Sequence, residues 1–136
     1  MPGEAILVVD DDLGALEQCC AKLSSHGYQV LRATSGREAL QICEREQGRI
    51  DLALVDVVMP EMTGIELLQR LEAAQHTPRV ALISGSSPEE VDRLIGSEGS
   101  SYRVVWKQYD IPIFLQMIRN VLDAPLRMVA NSVFQR

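Results

Sequence analysis

The 136-residue sequence predicts an α/β fold in which a parallel five-stranded sheet is covered on both faces by helices. Three observations carry this reading. Short apolar runs alternate with helical periodicities along the chain. The first run, Ala5–Val9 (AILVV), is continuously apolar, as in a strand buried on both faces. Helix start signals recur where the period changes.

Taken in order, Leu13, Leu16, Cys20 and Leu23 follow the first strand at helical spacing, and His26-Gly27 ends that helix. Tyr28–Ala33 reads as the second strand. Ser35-Gly36-Arg37-Glu38 is a capping box that opens a helix carrying Leu40 and Cys43. Asp51–Val55 is the third strand, followed by a turn containing Pro60 and Gly64 and a helix with Ile65, Leu68 and Leu71. Arg79–Ile83 is the fourth strand. Ser87-Pro88-Glu89-Glu90 joins a capping box to a proline at the first helical position, and Val91, Leu94 and Ile95 supply that helix's apolar face. Tyr102–Trp106 is the fifth strand. Asp110 caps a last helix bearing Ile113, Phe114, Met117, Ile118, Val121 and Leu122. Right-handed crossovers are the default for such an alternation, and periodicity leaves the strand order open.

The length suits one domain, placed at residues 1–123, with a tail at 124–136. Within the tail, Leu126, Val129, Ala130, Val133 and Phe134 form a short amphipathic helix. Its stripe needs a partner, either its own domain, a second copy in a homodimer, or a further effector domain. The formal charge of −6 offers no field for a polyanion, so direct nucleic-acid binding is disfavoured. No apolar run is long enough to span a membrane, and Met1-Pro2-Gly3-Glu4 lacks a basic flank or a signal core. Cys19, Cys20 and Cys43 show no metal-binding or disulfide spacing and read as buried thiols. A cytoplasmic location is expected.

Sites in parallel sheets form beyond the carboxyl ends of the strands. The first strand ends in Asp10-Asp11-Asp12, the third in Asp56, the fourth in Ser84 and the fifth in Lys107. An acidic run before a helix usually caps it. Asp56 alters that balance. If the first and third strands are neighbours, Asp10, Asp11 and Asp56 converge and repel by about 4 kcal/mol per close pair at an intermediate dielectric. A divalent cation relieves such repulsion, and Mg²⁺ suits hard oxygen donors with few protein ligands. A carboxylate such as Asp56 can attack phosphorus and become an aspartyl phosphate. Lys107 would add positive charge and Ser84 a hydrogen bond to a phosphoryl oxygen. Singly, Lys107 reads equally as a solvated strand-end lysine and Ser84 as loop chemistry.

With these residues in place the sequence resembles the receiver domain of two-component response regulators. The resemblance covers about residues 4–123 and rests on "ILVVDDD", "LALVDVVMPEMTG", "ALISGSS" and "VVWK", in order. It implies a flavodoxin-like sheet of order 2-1-3-4-5. It implies that Asp56 is the phosphoacceptor. It also implies that Asp11, Asp56 and the backbone carbonyl of Val58 ligate Mg²⁺ directly, while Asp10 acts mainly through water. Ser84 takes the Ser/Thr switch position, Lys107 pairs with the phosphoryl group, and Gly85 leaves room for it. The implied donor is a histidine kinase or a histidine phosphotransfer protein. The domain catalyses only its own phosphorylation and dephosphorylation, so it is not an enzyme in the usual sense.

Three departures from the family pattern matter. Gln108 stands where a proline usually follows the lysine. Val104 replaces an aromatic that moves on activation. Trp106 and Tyr102 share the strand face of Val104, so Trp106 is expected to substitute as the aromatic on the signalling face. Val58 and Ser86 occupy positions that tune dephosphorylation. An apolar Val58 cannot position an attacking water, so a persistent adduct is expected. Gln108 and Val104 also motivate an alternative, a receiver-like binding module that acts without phosphorylation. A haloacid-dehalogenase-type phosphatase shares the Asp-x-Asp of Asp10 and Asp12 but lacks the Gly-Thr pair that should follow. A flavodoxin would need a hydroxyl-rich loop where this chain has three acids.

Overall fold

In a computed structural model, residues 3–59, 62–74, 79–85, 88–95, 103–107 and 110–124 are described. The elements run β1 (Ala5–Val9), α1 (Leu13–Ser25), β2 (Gln29–Ala33), α2 (Gly36–Arg45), β3 (Leu52–Asp56), α3 (Gly64–Ala74), β4 (Val80–Ser84), α4 (Pro88–Ile95), β5 (Val104–Trp106) and α5 (Ile111–Asp123). The strands form one parallel sheet in the order β2-β1-β3-β4-β5. This is the order the resemblance implied.

Side chains alternate across the sheet and divide the core in two. Leu7, Val9, Ala53, Val55 and Leu82 join Ile42 of α2 and Leu67, Leu68 and Leu71 of α3 on one face. Ile6, Val8, Leu52, Leu54, Ile83 and Val105 join Leu16 and Leu23 of α1 and Phe114 and Ile118 of α5 on the other. Local signals agree with this packing. Asp12, Ser35 and Asp110 each accept a hydrogen bond from the backbone N–H three residues on, opening α1, α2 and α5. Cys19, Cys20 and Cys43 are buried and free, as expected. Burial pushes the Cys19 thiol up to about 12 and the Cys43 thiol up to about 11.

Several boundaries move by a residue or two. Strands β3 and β4 each begin and end one residue later than the apolar pattern suggests, because Asp56 and Ser84 stay in the ladder opposite Ile83 and Trp106. Asp51 instead accepts the Ala5 N–H at 2.8 Å, which fixes the start of β1. Strand β2 starts at Gln29, and Tyr28 is buried against the α1 side of the core. Leu13 and Ile113 are not core residues: they are 63% and 44% exposed. Both lie in the first turns of helices that start beyond the carboxyl ends of the strands, where no sheet remains to cover them. Pro60, Ser86, the capping residue Ser87, Tyr102, Gln108 and the tail from residue 125 lie outside the described residues.

The order 2-1-3 reverses direction between β1 and β3. The crevice beyond the ends of these two strands is where α/β sheets bind ligands.

Candidate functional site: an acidic cleft at the switch point

Asp10 leaves β1 with its N–H donating to the Ala33 carbonyl at 3.1 Å. Its carboxylate is only 2% exposed, so both oxygens need partners. Oδ1 accepts the Asp12 N–H at 3.0 Å, and Oδ2 accepts the Lys107 Nζ at 2.6 Å. Asp12 turns away to cap α1, accepting the Ala15 N–H at 3.2 Å. The three consecutive acids therefore divide their tasks, and the capping role falls to Asp12.

Asp56, the last residue of β3, lies beside them. One oxygen from each of Asp10, Asp11 and Asp56 lies within 4.8 Å of the others. Lys107 reaches across from the end of β5, and its Nζ is 3.5 Å from Asp56 Oδ1. These residues, with Asp12, Val58 and Met59, line an open cleft of about 480 Å³. Val58 presents its apolar side chain there, 53% exposed.

Among the described residues, one ammonium faces three clustered carboxylates, leaving two negative charges unbalanced. Asp56 registers this. Burial is the main force raising its carboxyl; Lys107 pulls it down, Asp10 and Asp11 push it up, and it stands at about 6. Burial alone would lower the Lys107 ammonium, but hydrogen bonds and attraction from Asp10 and Asp56 outweigh it and hold it above the usual lysine value. An all-oxygen donor set with a charge deficit of two fits a hard divalent cation.

The structure thus brings together Asp10, Asp11, Asp56, Val58 and Lys107. Ser84 is not among the residues lining the cleft. It is 3% exposed and follows Val80 and Leu82 onto the opposite face of the sheet. Its backbone is tied to the site: the Ser84 carbonyl accepts the Lys107 N–H at 2.8 Å. Among the described residues, a Cβ added at Gly85 would meet Lys107 Cδ at an ordinary 3.7 Å, so the space at this glycine borders the lysine stem.

Gly64 has a sharper role than its place in a motif suggests. A Cβ there would overlap the Asp56 carbonyl oxygen and lie 3.1 Å from Val57 Cα. Its N–H donates to the Val57 carbonyl at 3.1 Å, so the start of α3 is folded directly onto the backbone that carries Asp56. Thr63 and Glu66 close this turn reciprocally: Thr63 Oγ1 accepts the Glu66 N–H at 3.1 Å and Glu66 Oε1 accepts the Thr63 N–H at 3.0 Å. The Thr-x-x-Glu spacing of Thr63-Gly64-Ile65-Glu66 is the sequence signal for this box.

Comparison with known proteins gives a consistent result. The model of the response regulator receiver domain matches residues 6–120. Transcriptional regulatory protein GlrR of Escherichia coli is 32% identical over 87% of this chain, which spans 26% of that relative's length. Sporulation initiation phosphotransferase F of Bacillus subtilis is 37% identical over 62% of this chain and 66% of its own. A CheY-like receiver domain from Methanospirillum hungatei superposes with a TM-score of 0.71 at 26% identity, covering 89% of this chain and 94% of the other.

Proposed function

The chain belongs to the response regulator receiver family, and from that premise we propose that Asp56 is its phosphoacceptor, with a histidine kinase or histidine phosphotransfer protein as donor. The observation that carries the assignment is the convergence of Asp10, Asp11 and Asp56 on one cleft with Lys107 beside them.

Asp10, Asp11 and Asp56, with the backbone of Val58, would hold Mg²⁺. The ion supplies a fixed positive charge for the phosphoryl oxygens as negative charge develops on them. The remaining work falls to the chain. Asp56 stands at the rim of an open cleft, accessible to a phosphohistidine on a partner's surface. A carboxylate oxygen of Asp56 attacks phosphorus, the P–N bond to the imidazole breaks, and the ring nitrogen keeps the electron pair. Lys107 already sits on Asp56 and neutralises part of the incoming charge. Asp10 holds the ammonium in place at 2.6 Å, so it positions Lys107 as well as contributing to the acidic cluster. Ser84, on the far face, contributes a hydroxyl only after β4 and β5 readjust, which ties phosphoryl binding to a shift in conformation.

The product is an altered protein surface, and the domain turns over no external metabolite. The similarity to a Bacillus subtilis phosphotransferase supports a place in a phosphoryl relay. The similarity to a transcriptional regulator supports a role in controlling an output carried by a partner or a further domain.

The test is intact mass after incubation with acetyl phosphate and Mg²⁺, beside Asp56→Asn and EDTA controls. One phosphoryl adduct that requires both Asp56 and Mg²⁺ is expected. Binding of Mg²⁺ without an adduct from any phosphodonor would favour the phosphorylation-independent binding module.

A further inference from the structure

We infer that Met62 is a positioning residue for the loop that presents Val58 to the cleft, and that Gly36, in the first turn of α2, is the seat it needs. The inference rests on the metal site of the phosphoacceptor reading above. It adds to that site a contact from α2, none of whose described residues lines the cleft.

The loop that leaves β3 alternates in its burial. Val57 and Met59 are buried in the α2/α3 side of the core, and Val58 between them is exposed at the cleft. Val57 keeps the last bond to β4, its N–H donating to the Ile83 carbonyl at 3.2 Å. The loop closes where the Gly64 N–H donates to the Val57 carbonyl at 3.1 Å, and the Thr63–Glu66 box fixes the turn that follows. Between these points the direction of the backbone is left to side-chain packing.

Met62 supplies that packing. It is partly buried against the same α2/α3 core that holds Met59. Its thioether lies over Gly36: a Cβ added there would come within 2.8 Å of Met62 Sδ, 3.2 Å of its Cε and 3.7 Å of its Cβ. The methionine therefore crosses the space that a methyl group on α2 would take. Gly36 has no positive φ, so its backbone would accept alanine. Its lack of a side chain serves the neighbour, not the turn. The seat belongs to a capped helix start, with the Ser35 Oγ accepting the Glu38 N–H at 3.1 Å.

The consequence for the site is geometric. Asp56 is set by the β3–β4 ladder and Asp10 by its bond to Lys107. Val58 lies beyond the last residue of β3, and its carbonyl, unlike a carboxylate, is aimed only by the backbone that carries it. Met59 on one side and Met62 on the other hold that backbone to the core. Without Met62 the carboxylates keep their places and the loop samples other directions. Mg²⁺ then binds only the fraction with the carbonyl in place, which weakens affinity in proportion. Once the ion is bound, the chemistry at Asp56 proceeds as before.

The test uses the full chain and compares Met62→Ala, Met62→Leu, Gly36→Ala and the double variant Gly36→Ala/Met62→Ala, each well below its melting temperature. Titration calorimetry reads Mg²⁺ affinity, hydrogen exchange over residues 57–64 is followed without metal, and intact mass reads the rate of adduct formation with acetyl phosphate. Met62→Ala should speed exchange in the loop and weaken Mg²⁺ binding about tenfold, the lower end for residues that orient a metal ligand. Its rate at saturating Mg²⁺ should stay within about twofold of the unmodified protein, a split that a general loss of structure would not produce. Met62→Leu, close in volume, should keep its affinity within about threefold. Gly36→Ala should weaken binding in the same direction, and its effect should vanish once Met62 is alanine. Unchanged affinity and exchange in Met62→Ala would overturn the inference, while an adduct on Asp56 would leave the phosphoacceptor reading intact. A Gly36→Ala effect that persists in full beside Met62→Ala would overturn the seat. No Mg²⁺ binding by the unmodified protein would overturn both readings together.

Discussion

Replacing Asp56 by asparagine should stabilise the metal-free protein at neutral pH. The side chain keeps its shape and loses a charge that the folded state holds at a cost. Burial, with Asp10 and Asp11 close by, raises its carboxyl from the ordinary 3.8 to about 6 despite Lys107 at 3.5 Å. At 1.36 kcal/mol per pKa unit, that displacement is a ceiling of about 3 kcal/mol. The cleft is open, and solvent screening brings the expected gain to about 1–2 kcal/mol. For a domain of this size the melting temperature should rise by about 3–8 °C.

The pH dependence fixes the sign. A carboxyl whose folded value lies above its unfolded value binds the proton better when folded. Its penalty is absent below about 3.8, grows as pH rises from there to about 6, and is constant above. Urea or thermal melts in EDTA at pH 4.5 and pH 7.5 should therefore show the variant's full advantage at the higher pH and roughly a third of it at the lower. The difference between the two proteins is the quantity to follow. Glu4 and Asp123, which hydrogen bonds from Arg119 hold below the usual carboxylate range, lower the stability of both alike in acid. Mg²⁺ should then stabilise the unmodified protein more than the variant. Equal stability of the two at pH 7.5, or an advantage independent of pH, would refute the account of a charge-frustrated site.

Lys107→Met leaves buried Asp10 without its cation and should cost about 2–4 kcal/mol in urea denaturation without metal, partly recovered by Mg²⁺. Gly64→Ala forces a methyl group against the Asp56 carbonyl and should cost about 1–3 kcal/mol, with slower phosphorylation by acetyl phosphate read from intact mass. Arg79→Met removes two hydrogen bonds to the Ala124 carbonyl, at 3.0 and 3.3 Å, and should raise hydrogen exchange at the end of α5 while leaving the site's Mg²⁺ affinity unchanged. Val58→Asn gives the cleft rim a polar group able to orient water, so the lifetime of the Asp56 adduct, followed by mass after removal of the donor, should shorten.

The elements were legible because each apolar run meets a different period. The uninterrupted Ala5–Val9 and Leu52–Val55 could be read as strands buried on both faces, and the structure buries them so, apart from the half-buried Ala5. Strand order was not legible from periodicity. It depends on which crossovers the helices make, and it came from the resemblance. Hydropathy places the ends of β3 and β4 one residue short of Asp56 and Ser84, because it marks burial while the ladder continues through polar residues. Leu13 and Ile113 show the converse. Their spacing is that of an apolar stripe, but helices longer than the strands beneath them carry the stripe beyond the sheet.

The site was legible to the extent that it depends on strand ends alone. Asp10, Asp56 and Lys107 meet because alternation puts all three on one face and the order 2-1-3 sets β1 beside β3. The same alternation, applied to Ser84, separates it from them. Applied to Trp106, it places the indole beside Ser84. A sequence reading that groups all strand-end residues into one constellation treats the rim of the sheet as a line, whereas the pleat makes it two-sided. The two sides have different chemistry here. The α1/α5 side gathers three carboxylates and the Lys107 ammonium. The other side holds the buried Ser84 and, beside it in the ladder, the half-buried Trp106. Lys107 belongs to the first side by its ammonium, bound to Asp10 at 2.6 Å, and is tied to the end of β4 by its backbone N–H, which donates to the Ser84 carbonyl at 2.8 Å.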